Sequence, residues 1–310
     1  MTISTNIIKP NLFIVGAAKC GTTSLYYYLS QHPEVFNCPV KEPNHFITQF
    51  QIDSLYGNLK QYKKLWSSYL GLSKYLALYS NAKSFRITCD ASVNYLRYAK
   101  EIAGKIKEFN DEAKILIILR NPVDRLFSHY HHSVRDGSIT ETLENLLTFE
   151  EEYCKMENNT WYSYKKYGLY YDNVKHYLDT FGQDKALILF NEDLESNPLK
   201  VLSNVCDFLM IDASFVPKID FTKQNAAYLP KNPKISHLLN KYSQGSMLWS
   251  GLKKIFPIQF LRRLKIIINP LIPFQEKLSE EKTIQQLKAY YKEDITKLET
   301  LVNRDLSAWK

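Results

Sequence analysis

The sequence predicts an α/β fold with a central parallel sheet flanked by helices in three layers. Three observations predict it. Continuous apolar runs without polar alternation recur at residues 12–15, Lys114–Leu119 and Ala186–Phe190, the pattern of strands covered on both faces. Segments of helical period separate them, so strands and helices alternate along the chain. The first two runs also open directly into helix starts, at Gly21-Thr22 and Asn121-Pro122.

Each element has a local reason. Residues 12–15 form the first buried strand, and 22–30 its helix, which stops before His32-Pro33 because the residue before a proline leaves the helical region. Residues 85–89 are a second strand. Residues 99–109 have helical spacing, with Ile102, Ile106 and Phe109 on one face. After the strand at 114–119, Asn121 caps a helix with Pro122 at its first position and Asp124 in its first turn. Residues 137–168 carry mixed helical and loop signals and many Glu, and read as an insertion. Residues 173–181 form a helix, 186–190 a buried strand, and Asn197-Pro198 cap a helix running to Met210. The stretch 245–310 reads as a mainly helical C-terminal extension. Its last part, 279–309, is a terminal helix with Ile284, Leu287, Tyr291, Ile295, Leu298 and Val302 along one face. With 310 residues, one domain spanning 1–310 accommodates all of this.

Composition narrows the function. Hydrophobic residues at 45% and charged residues at 23% exclude a disordered chain. The net charge of +8 favours anionic ligands. No helix-turn-helix, RNP or Cys/His finger pattern is present, so a nucleotide suits the charge and nucleic acid is not expected. The five cysteines are scattered, with no C-x-x-C pair. That fits a reducing compartment, without a disulfide framework or zinc site. The first ten residues lack an apolar segment long enough for a signal peptide, and no run of about 18 apolar residues occurs. The expected location is cytoplasmic. Residues 249–274 are basic and apolar. Peripheral membrane contact is the lesser reading there, because Pro257, Pro270 and Pro273 interrupt any long helix.

The chemistry concentrates at strand ends. Gly16-Ala17-Ala18-Lys19-Cys20-Gly21-Thr22-Thr23-Ser24 follows the first strand. A glycine-bounded loop leading into a helix start points backbone N–H groups and the positive helix end at an anion. The spacing is P-loop-like, resembling G-x-x-x-x-G-K-[ST]. Thr22, however, stands where a nucleotide triphosphatase has its Lys, and Lys19 lies inside the loop. At the end of the 114–119 strand, Arg120 and, two helical turns beyond the cap, Ser128 offer a second phosphate site. Read alone, Arg120 would pair with Asp124 and Ser128 would be a surface serine. Beside the glycine loop, the two junctions suit a nucleotide phosphorylated at both 5′ and 3′ positions. Glycine loop, Asp90 and Arg120 all lie past strand ends and are expected in one crevice.

Three segments together resemble the landmark motifs of sulfotransferases that use 3′-phosphoadenylyl sulfate (PAPS). They are Ala18-Lys19-Cys20-Gly21-Thr22-Thr23-Ser24-Leu25, Lys41-Glu42-Pro43-Asn44-His45-Phe46, and Leu119-Arg120-Asn121-Pro122 with Ser128-His129-Tyr130. Asp90 to Tyr95, Asn191-Glu192-Asp193-Leu194 and the terminal Tyr290-Tyr291-Lys292 with Trp309 support the match. The similarity is to bacterial members related to the heparan-sulfate and polysaccharide branch. It implies that Lys19, Cys20, Gly21, Thr22, Thr23 and Ser24 hold the 5′-phosphosulfate. Arg120 and Ser128 would hold the 3′-phosphate, and Lys231 would stand near the adenine. Glu42 matches the general base, with Lys41, His45 and Asp90 as acceptor-side candidates. One extra residue follows Pro43 relative to the usual pattern. The product would be adenosine 3′,5′-bisphosphate (PAP).

The chemistry agrees independently. Sulfuryl transfer builds charge on a leaving phosphate oxygen, which a loop cation such as Lys19 offsets. An acceptor hydroxyl needs a base such as Glu42; a surface ion pair with Lys41 is the competing reading of that carboxylate. His129, His131 and His132 are reserve bases, and their spacing matches no usual ligand set, so no metal is expected. Glu192 and Asp193 read as a strand-end turn. The alternatives are a P-loop nucleotide kinase or NTPase, and a non-catalytic nucleotide-binding protein. The first needs a Lys at the end of the glycine loop and an acidic strand end, where this chain has Thr22 and Arg120. The acceptor is expected to be a hydroxyl on a saccharide, glycolipid or small metabolite. Residues 161–164 and 167–171, rich in aromatics, are candidates for a sugar groove or for core.

Overall fold

Five parallel strands form the sheet expected from the apolar runs. The computed structural model describes residues 7–56, 67–135, 138–139, 141–156, 160, 163–222, 228–230, 235, 271–273 and 281–310. The strands are β1 (Leu12–Gly16), β2 (Val35–Asn37), β3 (Ile87–Ala91), β4 (Lys114–Leu119) and β5 (Ala186–Phe190). They lie side by side in the order β2-β3-β1-β4-β5. β1 is central, with Leu12 opposite Cys89 on one side and Lys114 on the other. All five of its residues are buried, as are five of the six in β4. The chain leaves β1 towards β3 and β2, but leaves β4 towards β5. The loops after these adjacent strands therefore part, which opens a crevice at their carboxyl ends.

The helices are α1 (Thr22–Leu29), α2 (Gln49–Tyr56), α3 (Leu72–Ala77), α4 (Asn94–Arg97), α5 (Ala99–Phe109), α6 (Pro122–Arg135), α7 (Leu143–Thr148) and α8 (Glu150–Met156). They continue with α9 (Tyr171–Phe181), α10 (Asn191–Ser196), α11 (Pro198–Leu209) and α12 (Glu281–Val302). Ile102, Ala103 and Ile106 form the buried face of α5, as its spacing predicts, whereas Phe109 is only partly buried. Asn197 caps α11 by accepting from the Lys200 N–H at 3.1 Å. A two-stranded antiparallel pair joins β6 (Tyr228–Pro230) and β7 (Leu271–Pro273). Most of the 248–274 stretch, and Lys231, lie outside the described residues.

Four differences from the sequence reading have physical causes. β3 runs two residues beyond the expected 85–89 boundary at its end. The polar Asp90 looked like a terminator, but hydroxyls satisfy its carboxylate inside the sheet. β2 is only three residues long, too short for a periodic signal. α9 begins at Tyr171 instead of Asn173, because the Asp294 carboxylate on α12 accepts from the Tyr170 and Tyr171 N–H groups at 2.8 and 3.2 Å. α12 ends at Val302, where Asn303 turns left-handed at φ 49°, and residues 307–309 form a separate 3₁₀ turn.

The borrowed cap predicts a measurable cost. Asp294→Ala should destabilise the protein by about 1–2 kcal/mol, the usual worth of an N-terminal cap. Denaturant titration at neutral pH checks it, and an unchanged midpoint would show that solvent replaces the cap.

Candidate active site

The glycine loop grows out of β1 and is tied to β4 by the Ala17 N–H donating to the Ile118 carbonyl at 2.7 Å. Gly16 pairs in register with Ile117, so the loop and Arg120 leave the same sheet edge on neighbouring strands. Gly21 adopts φ 90° directly before α1. A side chain there would be conformationally strained and would run into the Asn191 amide. Gly16 is equally constrained, because a Cβ would come within 2.6 Å of Leu96 Cβ. The loop thus needs both glycines, one against α4 and one against α10.

The start of α1 suits an anion. Gly21 supplies no side-chain cap, and the first turn holds no acidic residue. The orphan N–H groups of that turn keep their hydrogen-bonding capacity and the positive end of the helix dipole. Thr22 and Ser24 are buried and Thr23 half-buried. Lys19 sits in the loop at φ 71°. Its charge is felt by His129 and His132 of α6, which places the ammonium on the side where α6 crosses the loop. Cys20 points the other way. Its thiol is fully buried 3.6 Å from the Tyr170 hydroxyl, and burial pushes its pKa up to about 11. Its N–H turns back to Ala17 at 3.3 Å, so Cys20 shapes the loop from beneath.

The second junction has the predicted form. Asn121 Oδ1 accepts from the Val123 N–H at 2.9 Å and so caps α6. The Glu192 carboxylate accepts from the Asn121 N–H at 2.8 Å. Asp193 takes both guanidinium nitrogens of Arg304, one at 2.8 Å. The acidic pair after β5 is therefore structural. Among the described residues, the Arg120 guanidinium and the Ser128 hydroxyl make no hydrogen bond or salt bridge, and Asp124 is exposed. Arg120 instead donates only its field to Cys20 and Glu192. Tyr170 joins the two junctions: its hydroxyl donates to the Arg120 carbonyl at 3.0 Å and stands against Cys20.

Glu42 lies at the end of β3. Its N–H donates to the Ala91 carbonyl at 3.0 Å, and its backbone turns left-handed at φ 60°. Its carboxylate accepts from Lys41 at 3.1 Å, with both side chains about a quarter exposed (28% and 21%). The ion pair weighed from the sequence is therefore present. Asp90 sits beneath this segment, fully buried. It accepts from Ser92 at 2.6 Å, Tyr75 at 2.7 Å and Tyr95 at 3.2 Å. Burial, partly offset by these donors, raises its pKa to about 6. Ser92 in turn accepts from the Asn44 N–H at 3.1 Å, so Asp90 supports the turn that carries Glu42. His45 stacks on Tyr75 at 4.1 Å, and its Nδ1 pairs with the Tyr69 carbonyl. It belongs to an aromatic cluster, and burial lowers its pKa.

Of the sequence candidates, the structure brings Lys19, Gly21, Thr22, Thr23, Ser24, Arg120 and Ser128 to the β1 and β4 junctions. Lys41, Glu42 and Asp90 come to the β3 end. Tyr164 and Tyr170 are core residues. Arg97 had no sequence signal, lying on a four-residue helix without any motif. Tyr170 and Asn191 lie in segments that the sequence singled out, but their contacts with the two junctions come from the topology. The fold thus places two anion-receptive strand–helix junctions on neighbouring strands of one parallel α/β sheet.

Residues 9–244 match the family model described as the sulfotransferase domain, and the chain belongs to that family. Heparan sulfate glucosamine 3-O-sulfotransferase 3B1 of Homo sapiens is 27% identical over 200 residues, 64% of this chain and 46% of that protein. Carbohydrate sulfotransferase 15 of Rattus norvegicus is 29% identical over 243 residues, 64% of this chain and 43% of that protein. The solved sulfotransferase of Alicyclobacillus acidocaldarius shares 30% identity at a TM-score of 0.72, covering 98% of this chain and 99% of that one. The chain spans about half the length of the curated relatives it matches. No helix among the described residues is long and apolar enough to cross a membrane.

Proposed function

We propose that this protein transfers a sulfuryl group from PAPS to an acceptor hydroxyl on a saccharide, glycolipid or small metabolite. One observation carries the reading: an uncapped helix start and a guanidinium without a carboxylate partner stand on adjacent strands of a sulfotransferase fold. Those residues fit a nucleotide with phosphates at both ends of its ribose. The α1 N–H groups, Thr22, Thr23 and Ser24 hold the 5′ end, and Arg120 and Ser128 hold the 3′-phosphate. The donor supplies the activated sulfuryl group.

The remaining work falls to side chains of this chain. Lys19 offsets the charge that grows on the leaving phosphate oxygen. Glu42 takes the proton of the acceptor hydroxyl, and Lys41 fixes the carboxylate's orientation. Asp90, through Ser92 and Asn44, keeps that turn in place. Saccharide acceptors are favoured by the carbohydrate sulfotransferases among the relatives.

Thermal shift with PAP against ATP–Mg tests the donor assignment. Stabilisation by ATP–Mg alone would favour a kinase, and equal response to any polyanion would favour a binding protein. Arg120→Ala should weaken PAP binding by about 10–100-fold, the worth of a charge-assisted contact, while barely changing affinity for adenosine 5′-monophosphate. Calorimetry on both nucleotides checks it; equal losses would remove Arg120 from the 3′-phosphate. Labelled PAPS with carbohydrate, lipid and phenolic acceptors tests the reaction itself.

A further inference from the structure

A cavity of about 200 Å³ opens beside the glycine loop, on the side of α4 and α9. Ala17 and Ala18 form its floor, and Arg97, Lys166, Tyr167 and Asn173 supply its polar wall. None of its lining residues carries a carboxylate. Binding pockets for whole ligands run to about 300–1,000 Å³, so this one has room for a substituent of a larger molecule.

Its charge is unusual. Arg97 is largely buried, stacks its guanidinium on the Tyr167 ring at 3.9 Å, and donates to the Thr160 carbonyl at 3.2 Å. No carboxylate lies within salt-bridge distance of it among the described residues. A guanidinium has five N–H donors in a rigid fork, and the Thr160 carbonyl and the Tyr98 hydroxyl engage only part of it. Behind the same ring, fully buried Arg125 sits 5.7 Å from the Tyr167 centroid. Its Nε has no hydrogen-bond partner. Lys166 reaches Glu151 only at 4.0 Å, with both side chains more than two-thirds exposed, a pairing that contributes little. Arg125 has the buried Glu150 carboxylate acting on it, whereas Arg97 has no carboxylate of its own, and a guanidinium short of a counter-ion is costly in a low-dielectric interior. A ligand anion would supply what the protein withholds.

We propose that this cavity is an acceptor subsite for an anionic substituent, a carboxylate or a sulfate ester, gripped by the Arg97 fork and Lys166. The subsite rests on the proposed acceptor chemistry and narrows it to anionic acceptors. Arg97 gives planar, bidentate geometry, and Lys166 a mobile point charge at the rim. Tyr167 holds the plane of the Arg97 fork by stacking against it. The glycine-loop floor puts the bound group next to the donor's reacting end.

The test measures oligosaccharide binding to the PAP-loaded full chain by calorimetry, which needs no turnover. The probes are a short glucuronate-containing oligosaccharide, its carboxyl-reduced counterpart, and a sulfate-bearing oligosaccharide. Wild type is expected to bind at least one charged probe about tenfold or more tightly than the reduced one. Lys166→Ala and Arg97→Gln should each cut that ratio several-fold without changing PAP affinity, and Arg97→Lys should retain part of it. Which charged probe gains identifies the anion. Equal affinity for charged and reduced probes in wild type overturns the subsite, as does an unchanged ratio in the variants. Lys166 is exposed, so its variant decides the matter if Arg97→Gln does not fold. Selective anion binding without transfer from labelled PAPS would leave the subsite and remove the reaction; transfer without selectivity would do the reverse.

Discussion

Glu42→Gln is expected to lower turnover by about 10²–10⁴-fold, the usual contribution of a general base, with PAP affinity unchanged. The substitution is nearly isosteric. A glutamine oxygen still accepts from Lys41, and the backbone bond from residue 42 to Ala91 is untouched. Folding therefore survives, and the loss reports on proton transfer. Single-turnover assays with labelled PAPS separate this from binding, and calorimetry with PAP measures the donor site directly. Turnover within a few-fold of wild type would exclude Glu42 as base and leave the Lys41 pair as its whole role. A matching loss of PAP affinity would instead place Glu42 on the donor side. Lys19→Met complements the experiment: it removes the cation on the leaving group, and general-base loss and leaving-group loss should be distinguishable by acceptor pKa. Weakly acidic hydroxyls depend most on the base, whereas the Lys19 defect should persist across acceptors.

The parts of the fold that could be read directly are those that one segment decides. β4 and β5 match the expected 114–119 and 186–190 because a strand buried on both faces leaves an unbroken apolar run. The cap at Asn121 and the glycine loop were legible for the same reason: capping and left-handed glycines are local chemistry. Where the outcome depends on a distant partner, the local pattern misleads. Asp90 continues β3 because Tyr75 and Tyr95 bring hydroxyls to it. α9 starts early because Asp294 lies more than a hundred residues away in sequence but adjacent in space. The site divides in the same manner. Arg120 follows from one strand–helix junction, but the Tyr170 hydroxyl that braces its carbonyl, and the Arg97 wall, require the topology.

Acidification from pH 7 to 5 is expected to destabilise the protein by several kcal/mol, because α6 buries histidines in their neutral form. Burial lowers His131 to about 4 and, with Lys19 and Arg135 beside it, His132 to about 3. His129 is fully buried and held well below its ordinary value by burial, then by Arg125 and Lys19. Unfolded histidines titrate near 6.5. Below that, the unfolded chain binds protons that the native state refuses, so stability is present above 6.5 and is lost as pH falls. At pH 5 the loss is about 2 kcal/mol for each of His131 and His132, and His129 acts in the same direction. Asp90 acts with the opposite sign. Its native pKa near 6 lies above the unfolded carboxylate value, so its contribution is present at low pH and fades as pH rises through 6. At pH 5 it returns about 1 kcal/mol, too little to offset α6. Denaturant titrations at pH 7 and 5 resolve the two. His132→Gln should shrink the acid loss by about 2 kcal/mol, and Asp90→Asn should enlarge it by about 1 kcal/mol. Equal acid losses in wild type and His132→Gln would show that α6 opens to solvent and that the crevice beside Lys19 is wetter than its packing implies.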